Sequence, residues 1–472
     1  MPDELQFKSI RELAGMIQDG QVSPVDVTES FLSRLDELGP SYNSVVTLTG
    51  ERALETARQV ESDIAAGHDG GLLRGIPWGA KDLLATSGGI PTSWGAEPFR
   101  DQTFDNDATV VIRLEAAGAP LAAKVAMIEL AGGMGYNQPK ASLTGPPRNP
   151  WNRDRWTGGS SSGSGATVAA GLVPFAIGSE TWGSILSPSN NCGLSGLRPT
   201  YGRVSRAGAM ALCWTLDKLG PLCLTADDCG IVLDAIAGPD PNDPTTYPYE
   251  FTYDSNLDSA RLGRKFRLGV PKDVTEGAQD AVKANFEAAL EAISDVADVE
   301  EVTLPDLPYV PIVRTILMVE AASAFEDFLG EGGPQKLTAP EDHYGPYART
   351  AILATDYVRA LRLRGVMARQ VDEVMSKYDA LAAPTSLTTA TPVDEHFRRN
   401  TSGPGDIVGA IGNGCGLPSQ SVPSGFDSDG MPTGIQFMAR AYDENISIAL
   451  GRAYQERTDW HTRHPADLLP TG

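Results

Sequence analysis

Two corners of this chain concentrate the small polar residues from which nucleophile sites are built. One is Gly158-Gly159-Ser160-Ser161-Ser162-Gly163, and the other is Gly183-Ser184, with Ser184 lying 24 residues after Ser160. Three readings of the Gly/Ser stretch compete: a flexible linker, a phosphate cradle and a nucleophile site. The linker reading fits poorly, because Trp156 precedes the stretch and an apolar helix and strand pattern follows it. A cradle would need Gly-Lys-Ser/Thr or GxGxxG spacing, and neither is present. Gly159–Gly163 formally satisfies GxSxG, the pattern of a hydrolase elbow. In Gly/Ser-rich sequence that match is cheap, and an elbow also needs a later acid and then a histidine. The late histidines are His396 in a polar loop and His461 and His464 in a polar tail, so a Ser-His-Asp arrangement finds little support.

The elements around these corners alternate between helix and strand. "SIRELAGMIQDG" and "SPVDVTESFLSRLDELGP" read as helices, the second with Ser23 as cap and Pro24 in its first turn. "GIPWGAKDLL" reads as a buried strand and turn carrying one lysine, Lys81. A helix over 107–117 and a short strand follow, then "GATVAAG" as a small-residue helix and "LVPFAIGSE" as a buried strand. "CGLSGLRPTYGRVSR" reads as turns, and 237–263 as a Pro/Asp-rich surface excursion. "KFRLGVPKD" and "DALAAPTS" read as strands, 276–294 and 350–377 as helices, and "GLPSQSVPSGFDSDGMPTGIQF" as a hairpin turning at Asp-Gly. This αβ alternation is that of a wound sheet.

Composition narrows the function classes. With 38 Lys and Arg against 61 Asp and Glu, the net charge is −23, which repels phosphate backbones and anionic lipid, so neither nucleic acid nor membrane is the expected partner. Asp3, Glu4 and Glu12 stand where a signal peptide would be basic and apolar. Five cysteines without CxxC spacing suit reduced thiols and a cytoplasmic location. None of the five histidines has ligand spacing to a Cys or acidic cluster, so no metal and no cofactor are expected.

The run "TGGSSSGSGATVAAGLVPFAIGSETWGSI", continuing through "CGLSGLRPTYGRVSR" to "LDKLGPL", with "GIPWGAKDLL" upstream and "GLPSQSVP…MPTGIQF" downstream, resembles the amidase signature family of Ser-Ser-Lys serine amidohydrolases. The resemblance covers nearly the whole chain in order. It implies an α/β fold with a central mixed, twisted β-sheet covered by helices on both faces. It also implies one amidase domain over 1–472: an N-terminal helical segment 1–67, a catalytic core 68–230, the excursion 237–263, and the remaining sheet and helices 264–472. Ser184 matches the family's nucleophile, Ser160 the serine held by a cis peptide, and Lys81 the base. Thr181, Trp182, Gly183 and Ser184 match the oxyanion turn. The chemistry is coherent, since a serine hydroxyl needs a neighbour that takes its proton. A lysine can do so only when neutral, which burial of the ammonium promotes. Ser160 would relay the proton across a gap that one side chain cannot span.

Two departures from the family pattern bear on substrate. Trp182 replaces the first of two glycines before the nucleophile; it is strained if that position needs positive φ, and otherwise its indole projects to the pocket or its rim. Leu186 stands where the family usually has Arg. Both point to an apolar pocket that accepts aryl groups. Further pocket candidates are Met127, Gly132, Gly133 and Gln138 in "MIELAGGMGYNQP", and Met210 and Trp214 in "MALCW". Asp406 is either a helix cap or the acid that, in the glutamine-hydrolysing chain of glutamine amidotransferases, holds the amino group of glutamine. The expectation is a stand-alone enzyme, monomer or homodimer, cleaving a small amide or carbamate. The alternatives are an inactive scaffold and the glutamine-hydrolysing chain of an amidotransferase.

Overall fold

The computed structural model describes residues 5–68, 70–135, 137–396 and 406–469. Its strands are β1 (Val45–Leu48), β2 (Trp78–Lys81), β3 (Leu121–Val125), β4 (Arg148–Asn149), β5 (Asn152–Trp156), β6 (Phe175–Glu180), β7 (Ser195–Arg198), β8 (Lys218–Cys223), β9 (Phe266–Pro271), β10 (Ala297–Val302), β11 (Ala380–Pro384), β12 (Ser419–Phe426) and β13 (Pro432–Ala439). Eleven form one sheet in the order β1-β3-β2-β6-β8-β7-β12-β13-β11-β9-β10, and β4 and β5 pair apart. The sheet is mixed. β3, β2 and β6 run parallel, as do β11, β9 and β10, and the remaining pairs are antiparallel.

Strand β6 shows why helices lie on both faces. All six of its residues are buried, as expected of a strand covered on both sides. Phe175 and Ile177 join a core with Val110, Leu114 and Val232, while Ala176 packs in another with Leu35, Ala166 and Val168. Because successive side chains point to opposite faces, the helices carrying these partners must flank the sheet from both sides. Local signals set the helix starts. Ser9 with Glu12, and Ser23 with Asp26 and Pro24, form capping boxes at Ile10–Gln18 and Pro24–Tyr42.

Two central strands depart from the sequence expectation. The segment read as turns contains β7, buried at every position between β8 and β12; its Ser195 and Gly196 carry too little apolar surface to announce a strand. β8 includes Pro221, which ordinarily argues against a central strand. Its ladder with β7 is confined to Leu222 and Cys223, clear of the proline.

The sheet brings the two Gly/Ser corners to one place. Lys81 ends β2, which lies parallel to β6 with Trp78 across from Phe175. The chain leaves β6 through Thr181–Ser184 into the short helix Leu186–Cys192. The first corner opens the helix Ser162–Ala169. A Cβ on Gly163 would lie 2.3 Å from the Ala126 nitrogen just past β3, so only glycine lets this helix seat there. Everything converges beyond the carboxyl ends of adjacent parallel strands, the usual location of α/β sites.

Candidate active site

Lys81 is fully buried. Its Nζ lies 2.7 Å from Ser160 Oγ, 2.9 Å from Ser161 Oγ and 2.8 Å from Ser179 Oγ. Burial drives the amine well below its ordinary pKa, against the opposing pull of Asp217 and Glu180. A neutral amine has two N–H bonds and one lone pair, so among three hydroxyls one is free to donate to it.

The peptide bond between Gly159 and Ser160 is cis, as the resemblance implies. The Ser160 carbonyl accepts from Ile128 N at 3.1 Å, and Ser161 N donates to the Ser184 carbonyl at 3.3 Å, tying one corner to the other. Ser160 is wholly buried, whereas Ser184 keeps 7% of its surface exposed. Among the described residues the Ser184 hydroxyl has no hydrogen-bond partner, so Ser160 and Ser184 are not joined directly in this state.

The turn after β6 carries unused donors. The backbone N–H groups of Thr181, Trp182, Gly183 and Ser184 have no acceptor among the described residues. Four consecutive unpaired amides are unusual in a folded chain and suit a developing oxyanion. Gly183 has φ +82, a left-handed conformation that glycine adopts freely. Trp182 is not left-handed. It therefore sits there without strain, and its indole projects, half-buried, to donate Nε1–H to Asp406 Oδ2 at 2.9 Å.

Glu180 and Asp217 fix the root of this turn. The Glu180 carboxylate accepts from Ile185 N at 2.9 Å, Leu186 N at 3.1 Å, Arg198 Nη1 at 3.1 Å and Asn413 Nδ2 at 3.1 Å. Burial raises its pKa, but Arg198, Lys218 and the two backbone donors outweigh that and hold it below the ordinary range. Asp217 accepts from Thr181 Oγ1 at 2.6 Å and from the amides of Leu212 and Cys213, each at 2.8 Å. On the other strand, Asp82 follows Lys81 and pairs with Lys124 at 3.2 Å, both fully buried. That pair pins the chain where β2 ends.

The other sequence candidates are distributed differently. Met210 and Trp214 line a cavity of about 190 Å³ together with Leu83, Ala131, Ser179 and Thr181. Met127 is wholly buried in the core, and the next residue's amide holds Ser160. Gly132, at φ +88, follows Leu130 and Ala131 at +49 and +53. Left-handed non-glycine residues cost about 1–2 kcal/mol each, and here bonds from Leu130 N to Trp94 O and Ala131 N to Ile128 O, both 2.9 Å, hold the bend. The Gly133 carbonyl accepts from Arg349. Two placements correct the sequence reading. Gln138 donates to Glu341 Oε2 at 2.6 Å, so its amide ties the loop to the segment Pro340–His343. Leu186 packs inward with Ile185 and Leu222 rather than along the cavity, because helix Leu186–Cys192 turns that face into the core. Asp406 meets the first of its two readings, capping helix Ile407–Cys415 through Gly409 N at 2.8 Å, and its other oxygen accepts from Trp182.

Sequence reasoning missed Ser179, Glu180, Asp217 and Asn413. Ser179 had a partial signal as the penultimate residue of a strand legible in the sequence, but its place beside the strand of Lys81 comes from the sheet order. Asn413 had none, since its contact with Glu180 spans 233 residues. Among the described residues no group of three His, Cys, Asp or Glu could hold a metal ion, and no helix is long and apolar enough to cross a membrane.

Known proteins share this fold. The family model "Amidase" matches residues 26–446. The chain is 34% identical to the A chain of the glutamyl-tRNA(Gln) amidotransferase of Acinetobacter baumannii strain AB0057, covering 98% of each. It is also similar to the solved peptide amidase of Stenotrophomonas maltophilia, with TM-score 0.87, 28% identity and coverage of 98% of this chain and 99% of that one. The corresponding glutamyl-tRNA(Gln) amidotransferase chain of Thermotoga maritima superposes with TM-score 0.79 at 27% identity, covering 96% of each.

Proposed function

Because the chain belongs to the amidase family of hydrolases acting on C–N bonds, we propose that it is a serine amidohydrolase working through an acyl intermediate on Ser184. Lys81, neutral by burial, takes the hydroxyl proton of Ser160 as Ser160 takes that of Ser184. The Ser184 oxygen attacks the substrate carbonyl, and the amides of residues 181–184 receive the oxyanion. Removing one such donor typically costs about 2.7–4 kcal/mol in transition-state stabilisation. The same path returns the proton to the leaving amine, after which water attacks the ester and frees Ser184. The observation that carries this reading is the buried amine within hydrogen-bond reach of three serine hydroxyls, one of them Ser160.

The cavity is mixed, with Leu83, Met210 and Trp214 on an apolar side and Arg206, Asn242 and Asp243 on a polar one. The apolar side, with the indole of Trp182 on the turn, supports amides or carbamates with an aryl or other apolar group, and a urethane carbonyl is attacked in the same way. In this reading the enzyme acts in the cytoplasm on a small molecule, needs no cofactor, and works as a monomer or homodimer. Incubation of the purified chain with a p-nitroanilide and a nitrophenyl carbamate tests it: release of chromophore is expected, and Ser184→Ala abolishes it. A folded enzyme that hydrolyses neither refutes the substrate class.

Two observations favour a second reading, the glutamine-hydrolysing chain of an amidotransferase. Asp406 carries a carboxylate next to the turn, and the 34%-identical relative is named as a chain of such an enzyme. Strict glutamine dependence and copurification of a second chain would select it.

A further inference from the structure

We infer that the hydrogen bond between Trp182 and Asp406 decides which amides this site takes, keeping the carboxylate occupied so that neutral, apolar acyl groups are preferred over those with an ammonium beside the scissile carbonyl. The inference rests on the acyl-Ser184 reading above.

Helix Ile407–Cys415 grips the turn at two points. Asn413 Nδ2 donates to Glu180 Oε1 at 3.1 Å at the root of the turn, and Asp406 Oδ2 accepts from the Trp182 indole at 2.9 Å at its tip. Residues seven apart stand about two helical turns apart and on the same face. One rigid element therefore sets the direction of the indole relative to Ser184, two residues further along the chain. Both Asp406 oxygens are used by neutral donors, Oδ1 by Gly409 N at 2.8 Å and Oδ2 by the indole.

Among the described residues no Lys or Arg forms an ion pair with Asp406. A carboxylate with exposed surface and only the more distant Arg198 acting on it, with no paired cation, would attract an ammonium, since charge-assisted bonds are stronger than neutral ones. Each carboxylate oxygen can accept more than one bond, so the indole acts by position: its N–H anchors it on Oδ2, and an indole held there brings its apolar ring beside that oxygen. The sequence departure at Trp182 and the position of Asp406 are thus one device.

The test compares kcat/KM for leucine p-nitroanilide, which carries the ammonium, and 4-methylpentanoyl p-nitroanilide, its des-amino counterpart. The wild type should favour the neutral substrate at least tenfold. Trp182→Phe, which keeps a ring and removes the N–H, should shift the ratio toward the ammonium substrate by at least tenfold. Adding Asp406→Asn to Trp182→Phe should reverse that shift, since Asn still caps the helix but carries no charge. Trp182→Leu removes the same N–H and serves should the Phe variant fail to fold. An unchanged ratio in a folded Trp182 variant overturns the inference. So does a wild type that prefers the ammonium substrate, or a rise in Asp406→Asn alone, where no carboxylate remains. Labelling of Ser184 by a fluorophosphonate separates the two levels. Absence of labelling in the folded wild type sinks the acyl-serine reading, whereas labelling with an unchanged ratio, or with turnover of neither anilide, sinks only the inference about Trp182 and Asp406.

Discussion

Replacing Glu180 by Gln should damage stability and turnover together, because this one carboxylate holds both ends of the turn that carries Ser184. It is fully buried and accepts four hydrogen bonds, from Ile185 N, Leu186 N, Arg198 Nη1 and Asn413 Nδ2, at 2.9–3.1 Å. Gln keeps one acceptor oxygen and turns the other end into a donor. Whichever way the amide faces, its NH2 meets either the two backbone donors or the Arg198 and Asn413 donors. Arg198, also fully buried, is then left without its counter-charge, and breaking a buried pair from one side costs about 3–5 kcal/mol. Urea unfolding should report a loss of that size. Displacement of the turn by about 1 Å would cost on the order of 100-fold in kcat, with KM less affected. Arg198→Met in the Glu180→Gln background removes the orphaned cation and should restore about 2 kcal/mol, a non-additivity expected of contacting groups.

The pH dependence has a defined sign. The folded-state pKa of Glu180 is lowered from 4.5, so its stabilisation is complete above that unfolded value and disappears as pH falls through the lower folded one. Glu180→Gln should therefore lose this share of the acid dependence. A Glu180→Gln enzyme that loses under about 1 kcal/mol and keeps kcat within about threefold of wild type would refute the reasoning.

Other perturbations read the rest of the site. Lys81→Met should lower kcat/KM by several orders of magnitude and flatten the acid limb of its pH profile. Because burial depresses this amine, its folded form is the weaker proton binder, and stability rises with pH between its folded value and 10.5; Lys81→Met should remove that slope, measured as Tm against pH. Ser179→Ala deletes one of the three hydroxyls on Lys81, a bond worth about 1 kcal/mol. It should lower kcat roughly tenfold and displace the acid limb, whereas a role confined to packing would leave the pH profile in place. Gly163→Ala forces a Cβ to 2.3 Å from the Ala126 nitrogen and should destabilise by about 1–3 kcal/mol, with Tm as the readout.

What the sequence made legible was local. The apolar run before Lys81, the Gly/Ser corners and the Asp-Gly hairpin each carry their own signature within a short window, and each is found where it was expected. The strand β7 and the proline-bearing β8 were hidden because burial there comes from neighbours on both sides, which no short window reports. The same limit applies more strongly to the site. Glu180 is read from sequence as the end of a strand; only the sheet order, which seats β7 two strands from β6, brings Arg198 to it. Trp182 and Asp406 lie 224 residues apart, so the sequence presents one as a missing glycine and the other as a helix cap. Neither description contains the other, and a sequence with Gly at that first position could fold the same way while leaving Asp406 open. The candidate nucleophile turn is thus written in short motifs, whereas the contact between Trp182 and Asp406 exists only once helix Ile407–Cys415 is seated against that turn. Removing the indole N–H at the Trp182 end of that contact should therefore shift substrate choice toward the ammonium-bearing acyl group, and only while residue 406 is a carboxylate.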